Sequence, residues 1–161
     1  MSESELLDIL SRVKDPEIPV VDIVGLGIVR GVSCGDSEIV VQITPTYSGC
    51  PAMDVIRREI VEEFQKSGYD TVRIETVLAP PWTTDWISED AKTSLREYGI
   101  APPGPVEEEP LIPLPRRRAT ITCPFCGSQN TERKSEFGAT ACKALHYCHA
   151  CQQPFEHFKA F

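Results

Sequence analysis

Two sets of cysteines in this sequence are placed to do chemistry. The first is a single thiol, Cys50, in the stretch Thr44-Pro45-Thr46-Tyr47-Ser48-Gly49-Cys50-Pro51. A strand-like run ends before this stretch and a helix-like run begins after it, with Pro51 suited to the first helical position. A thiol at that junction meets N–H groups with no intrahelical partner and the positive end of the helix dipole. Both favour thiolate over thiol. A small apolar residue packed in a turn accounts for the same cysteine equally well.

The second set is Cys123-Pro124-Phe125-Cys126-Gly127 and Cys148-His149-Ala150-Cys151-Gln152. In each C-x-x-C knuckle the backbone N–H groups turn toward the sulfurs, and two knuckles make a tetrahedral tetrathiolate site. The 21 residues between the pairs slightly exceed the roughly 15–20 of the usual ribbon. Four cysteines fill every position on the metal, so the site is read as structural, with Zn expected and Fe not distinguished from it. Gln152 stands where a second knuckle commonly has glycine. Cys34 falls in a turn and Cys142 is read as a packed strand cysteine. His146, His149 and His157 are read as bystanders to the four sulfurs.

A third stretch, Asp15-Pro16-Glu17-Ile18-Pro19-Val20-Val21-Asp22, puts three carboxylates and two prolines in a short, stiff connection. Such a loop holds a carboxylate at a fixed place. A surface turn with an Asp cap is the simpler local reading.

The composition bounds what these groups can serve. The chain has 161 residues and a net charge of −8, enough for one ordinary domain and a small one. Residues 1–115 hold 9 Lys and Arg against 21 Asp and Glu, and residues 116–161 hold 7 against 3. The acidic part argues against nucleic-acid binding. No apolar run is long enough to span a membrane. The acidic start Met1-Ser2-Glu3-Ser4-Glu5 lacks the features of a signal peptide, which makes the cytoplasm the expected location. Cysteine pairs in that setting point to metal rather than disulfides.

The elements that must position these residues follow from periodicity. Residues 3–13 read as a helix, with Ser2 and Glu5 at capping-box spacing and Leu6, Leu10 and Val13 on one stripe. Ile28–Val32 and Ser37–Thr44 read as a β-hairpin about Cys34-Gly35-Asp36, with Ile39, Val41 and Ile43 on the buried face. Residues 51–66 read as a helix with Met53, Ile56, Ile60 and Phe64 on one face, stopped at Ser67-Gly68. Thr71–Leu78 reads as a strand with Val72, Ile74, Thr76 and Leu78 on one face, its pairing left open. Ala79-Pro80-Pro81-Trp82 leads into a helix capped at Thr84 or Asp85 and running to about Tyr98. Trp82 and Trp86 are read as core residues, with an aromatic wall or partner surface as the alternative.

The expected fold class is α+β: a small sheet with helices packed on one side, in the order helix-strand-strand-helix-strand-helix, followed by a small all-β ribbon. Residues 1–100 make the first domain. Residues 101–118, with six prolines, the run Glu107-Glu108-Glu109 and Arg116–Arg118, read as an extended linker. Residues 119–161 make the ribbon, with strands at Ala119–Thr122, Thr131–Phe137, Lys143–Tyr147 and Phe155–Phe158. A unit of about 45 residues often needs its metal to fold.

Several of these motifs coincide in one family. Asp15-Pro16-Glu17 after the first helix, the strand pair, and Thr44 with Cys50-Pro51 resemble the iron–sulfur cluster assembly-associated domain. That family includes SufT-like proteins and the targeting subunit of eukaryotic cytosolic iron–sulfur assembly. The resemblance covers about residues 3–80. Gly25-Leu26-Gly27 stands where the wider family often has Asp-Leu-Gly. Three longer strings extend the likeness to the whole chain. They are Thr44–Met53, Pro80–Ile87, and the ribbon with Phe137-Gly138, Thr140 and Cys142-Lys143-Ala144-Leu145. With them the chain resembles the PaaD family of phenylacetate-degradation proteins, encoded with the subunits of phenylacetyl-CoA epoxidase.

The resemblance implies an accessory role rather than turnover by this chain itself. It implies a protein client, either the di-iron oxygenase of the epoxidase or its iron–sulfur flavin reductase. Cys50 then corresponds to the family's reactive cysteine, with transient Fe or an Fe–S cluster as its cargo. Asp15 and Glu17 correspond to the Asp-Pro-Glu motif, as oxygen ligands or a base, and Thr44 accompanies Cys50. A homodimer is compatible with this reading. The competing expectation is a non-catalytic scaffold of the epoxidase complex anchored by Trp82 and Trp86. A nucleic-acid-binding ribbon has only the knuckles and the basic tail behind it. No nucleophile–His–carboxylate set is apparent.

Overall fold

The computed structural model describes residues 2–35, 38–47, 49–106 and 120–161. The Glu107–Glu109 run, Arg116–Arg118, Ala119, Ser48 and the Asp36-Ser37 turn lie outside the described residues. The chain forms two compact units, Met1–Ala91 and Lys92–Phe161.

In the first unit, α1 spans Glu3–Leu10 and opens with a complete capping box. The Ser2 side chain accepts from the Glu5 N–H, and the Glu5 carboxylate accepts from the Ser2 N–H at 2.8 Å. Two tighter turns, closed by Arg12 N–H to the Ile9 carbonyl and Val13 N–H to Leu10, carry the chain to Val13. Strands β1 (Val29–Cys34) and β2 (Ile39–Ile43) are antiparallel, with a bulge between Val29 and Gly31. The alternation Ile39, Val41, Ile43 puts three branched side chains into the core, each at most 2% exposed. Helix α2 (Ala52–Lys66) buries Met53, Ile56, Ile60 and Phe64, which contributes roughly 6–12 kcal/mol of apolar burial before entropy.

Strand β3 (Val72–Thr76) pairs in parallel with β2, so β2-α2-β3 is a crossover unit. The sheet order is β1-β2-β3. Helix α1 packs on β1 and α2, and α2 packs on β3. This is the expected α+β arrangement. Leu78, expected to share a strand face with Val72, Ile74 and Thr76, is 68% exposed. The strand ends at Thr76 and Leu78 lies beyond its last pair.

The expected helix from Thr84 to Tyr98 is two pieces. A short 3-10 turn, Thr84–Trp86, is capped by the Thr83 side chain. Helix α3 (Glu89–Tyr98) then starts anew, with the Ser88 hydroxyl accepting from the Ala91 N–H at 3.1 Å. Two capping residues five apart divide what the apolar pattern joined. Gly99, at φ +94°, ends α3. A Cβ there would lie 2.8 Å from the Phe125 ring.

In the second unit, β4 (Ile100–Ala101), β5 (Thr131–Ser135), β6 (Lys143–Cys148) and β7 (Gln153–Phe158) form a sheet in the order β4-β7-β6-β5. Strand β4 runs parallel to β7, and Ala101 and Pro103 are buried, so this start of the expected linker is packed. Thr120–Thr122, expected as strand, has no ladder. Its contact with the sheet is instead the Thr131 hydroxyl donating to the Ile121 carbonyl at 2.5 Å.

Candidate functional site

The parallel β2–α2–β3 unit brings the C-terminal ends of two strands and the N-terminus of α2 to one end of the sheet. Open α/β sheets commonly bind ligands at such an end. Thr44 follows β2 there, 1% exposed, its N–H donating to the Ile28 carbonyl at 2.9 Å. Cys50 is half-buried. Its N–H donates to the Tyr47 carbonyl and its own carbonyl accepts from the Met53 N–H, both at 3.3 Å. Pro51 precedes α2 with helical φ and ψ and gives it no side-chain cap. Cys50 therefore sits one residue before the N-cap position, and two before the first residue, of a helix that has no side-chain cap from Pro51. Gly49, at φ +81°, has open space where a Cβ would stand.

The Asp15 carboxylate is engaged within its own loop. Its Oδ1 accepts from the Glu17 and Ile18 N–H groups, each at 2.8 Å. Asp15 is 8% exposed, and its N–H donates to the Val21 carbonyl at 3.0 Å. This is an Asp-capped turn, the simpler of the two readings of this stretch. Glu17 contributes its backbone to that turn.

Two cations that carry no motif share the sheet end. Arg30 lies 4.1 Å from the centre of the Trp86 ring and donates to the Pro80 carbonyl at 3.1 Å. Arg57, on α2, donates to the Thr76 hydroxyl at 2.7 Å. The β1–β2 hairpin carries Arg30 to this end, whereas the contact of Arg57 with Thr76 depends on the nonlocal placement of β3. Trp82 is 5% exposed, with its indole N–H donating to the Leu26 carbonyl at 2.9 Å. It belongs to the core and is not available as a partner anchor. Gly27, at φ +69°, lets Trp86 lie against its backbone, since a Cβ there would be 2.7 Å from the Trp86 Cβ.

In the second unit, Cys123, Cys126, Cys148 and Cys151 place their four sulfurs within 4.8 Å of one another. Sγ atoms of Cys123 and Cys151 are 3.7 Å apart, and those of Cys126 and Cys148 are 3.6 Å apart. A tetrahedral tetrathiolate with metal–sulfur bonds of about 2.3 Å has sulfurs ~3.8 Å apart. The donor set and its spacing thus fit one tetrahedral thiophilic ion. The Cys151 and Ala150 N–H groups hold the Cys148 thiol below the usual range, despite opposing burial. Burial pushes Cys151 up, and a bound cation is what lets all four ionise together.

The first knuckle closes with Cys123 N–H to the Ser128 carbonyl and Gly127 N–H to the Cys123 carbonyl, at 2.9 and 3.0 Å. Gly127 has φ +72°. Gln152, its counterpart, adopts φ 58° without being glycine. His149 faces away to Glu132 at 3.2 Å. Cys142 is buried beside the Thr140 hydroxyl, in the turn before β6 rather than in a strand.

The architecture is that of an α+β unit with a cysteine at its β–α turn, joined to a four-cysteine ribbon. Residues 3–75 match the family described as iron-sulfur cluster assembly protein, and residues 108–159 match the PaaD zinc beta ribbon domain. A Bacillus anthracis structure of domain of unknown function DUF59 superposes with a TM-score of 0.54 at 31% identity, covering 58% of this chain and 90% of that one. A Porphyromonas gingivalis Fe-S protein maturation auxiliary factor is 33% identical over 96 residues, 58% of this chain and 90% of that protein.

The chain belongs to the PaaD family. It is 44% identical over 155 residues, 96% of its own length and 91% of the other's, to an Escherichia coli (strain K12) protein provisionally described as a subunit of 1,2-phenylacetyl-CoA epoxidase.

Proposed function

We propose that this protein is an accessory subunit of a phenylacetyl-CoA epoxidase system that matures an iron or iron–sulfur centre of its client, with Cys50 as the ligand or relay for the cargo. The observation that carries the reading is the position of Cys50, two residues before the first residue of α2 at the end of the parallel β2–β3 pair. A helix start with N–H groups that have no intrahelical partner suits an anionic ligand or cargo. Support comes also from the full-length likeness to the Escherichia coli epoxidase protein and from the maturation factors that share the first unit. Thr44 holds the strand end from which the Cys50 loop departs. Asp15 shapes the neighbouring connection through the two N–H groups its carboxylate accepts, and Asp15 and Glu17 are the candidate oxygen ligands or base. The four-cysteine ribbon holds structural Zn and docks the client.

Metal and acid-labile sulfide analysis of protein purified without air tests this, wild type beside Cys50→Ser. Zinc in both proteins, with iron in the wild type alone, supports the transfer role. Zinc alone in both, with unchanged co-purification of the oxygenase component, favours the scaffold role instead. The half-buried Trp86 under Arg30 would then be the candidate anchor.

A further inference from the structure

The second unit contains a cavity that the four-cysteine site does not use. It has a volume of about 780 Å³ and lies on the face of the sheet shared by His146 on β6 and His157 on β7. The two imidazoles meet edge-on, with ring centres 5.4 Å apart. His157 Nε2 is buried and has no hydrogen-bond partner among the described residues. Orphaned buried nitrogens are rare and call for a reason. Burial, reinforced by His146, Arg133 and Lys159, keeps the His157 ring neutral by lowering its pKa to about 4.

The charged groups at the cavity are unevenly committed. Arg133 is paired with Glu136. Glu132 is held by Lys134 and His149. Lys159 has no carboxylate partner among the described residues. Its ammonium donates to the Glu136 carbonyl at 3.1 Å and lies over the rings of Phe137 and Phe161, at 4.5 and 6.0 Å. Phe161 and Ile121 supply apolar wall to the same cavity. The two lining carboxylates, Glu132 and Glu136, are each already paired with cations, which leaves Lys159 as the lining cation without a carboxylate among the described residues. Beside an aromatic wall, such a cation suits an anion with an apolar body.

We propose that this cavity binds a small aromatic carboxylate. Its carboxylate is held by Lys159, its ring lies against Phe161 and Ile121, and the His157 imidazole forms part of the wall beside it. The site is independent of Cys50 and of the maturation role.

The test is titration of the full-length, zinc-loaded protein with phenylacetate, phenylacetamide and acetate, followed by imidazole nitrogen shifts in NMR and by calorimetry. Phenylacetate is expected to saturate and to move the His157 Nε2 resonance. The neutral amide and the ring-less acetate should each bind about tenfold more weakly or less, the loss of one charge-assisted bond or of the apolar contact. Lys159→Met should reduce phenylacetate affinity about tenfold and leave the amide unaffected. Phe161→Ala, at the chain terminus, should weaken both aromatic ligands while the spectrum elsewhere is retained. No saturable shift with phenylacetate, equal binding of the amide, or indifference to both substitutions overturns the proposal.

Discussion

Cys50 and Asp15 differ in how much of their side-chain chemistry the fold already uses. Asp15 spends one carboxylate oxygen on two N–H groups of its own loop, which makes its first role architectural. Asp15→Ala should therefore destabilise the first unit by about 1–2 kcal/mol, the cost of losing a cap of this kind, and Asp15→Asn by much less. Urea unfolding measures both. If the Asn variant is stable yet fails to load a client, the second carboxylate oxygen has a chemical role as well. Gln152 provides a separate test of backbone strain. At φ 58° a side chain crowds its own carbonyl, so Gln152→Gly should stabilise the metal-loaded ribbon by about 0.5–1 kcal/mol, seen as a higher midpoint in thermal unfolding.

At the scale of elements, the turn between β5 and β6 is built around a carboxylate. Lys143, 5% exposed in its side chain, pairs with Glu156 at 2.7 Å. Glu156 also accepts from the Ala139 N–H at 3.0 Å, and a Cβ on Gly138 would press on it at 2.7 Å. Burial raises the Glu156 pKa, but the Lys143 and Ala139 hydrogen bonds outweigh it and leave it below the usual carboxylate range. A lowered folded pKa contributes stability above the unfolded value of about 4.3 and loses it as pH falls through the folded value. Lys143→Met should cost about 3 kcal/mol at neutral pH, the low end for breaking such a pair because Glu156 is partly exposed. Its deficit relative to wild type should shrink as the pH falls below about 4.

The same scale shows what was legible beforehand. The α2 stripe, the β1–β2 hairpin and the two knuckles are local patterns with fixed periods, and the structure has them. Parallel pairing of β2 with β3 is not local, since a crossover partner lies some 30 residues away in sequence. Strand β4 has two residues and no period to detect. Leu78 continued an alternation past the last strand pair, and Ser88 interrupted an apolar pattern with a second cap. Cys50 at a helix start could be read from the chain. The contact of Arg57 with Thr76 at the same sheet end could not, because it depends on the nonlocal placement of β3.

On the scale of the whole molecule, two units divide the chemistry. The ribbon's four sulfurs fit a closed tetrahedral site, which leaves no position for exchange and suits a folding role. Cys50 is two residues ahead of a helix in the other unit, outside that closed set. Among the described residues no helix is long and apolar enough to cross a membrane. On the proposed division into a docking ribbon and a delivering thiol, the client's iron is the quantity that matters. The direct measurement is therefore the iron content and activity of the epoxidase oxygenase and reductase components, produced with wild-type protein, with Cys50→Ser, or with neither. The account predicts full loading with wild type and loading with Cys50→Ser no better than without the protein, while that variant keeps its zinc and its association with the client. Full client loading by a folded Cys50→Ser variant would contradict it.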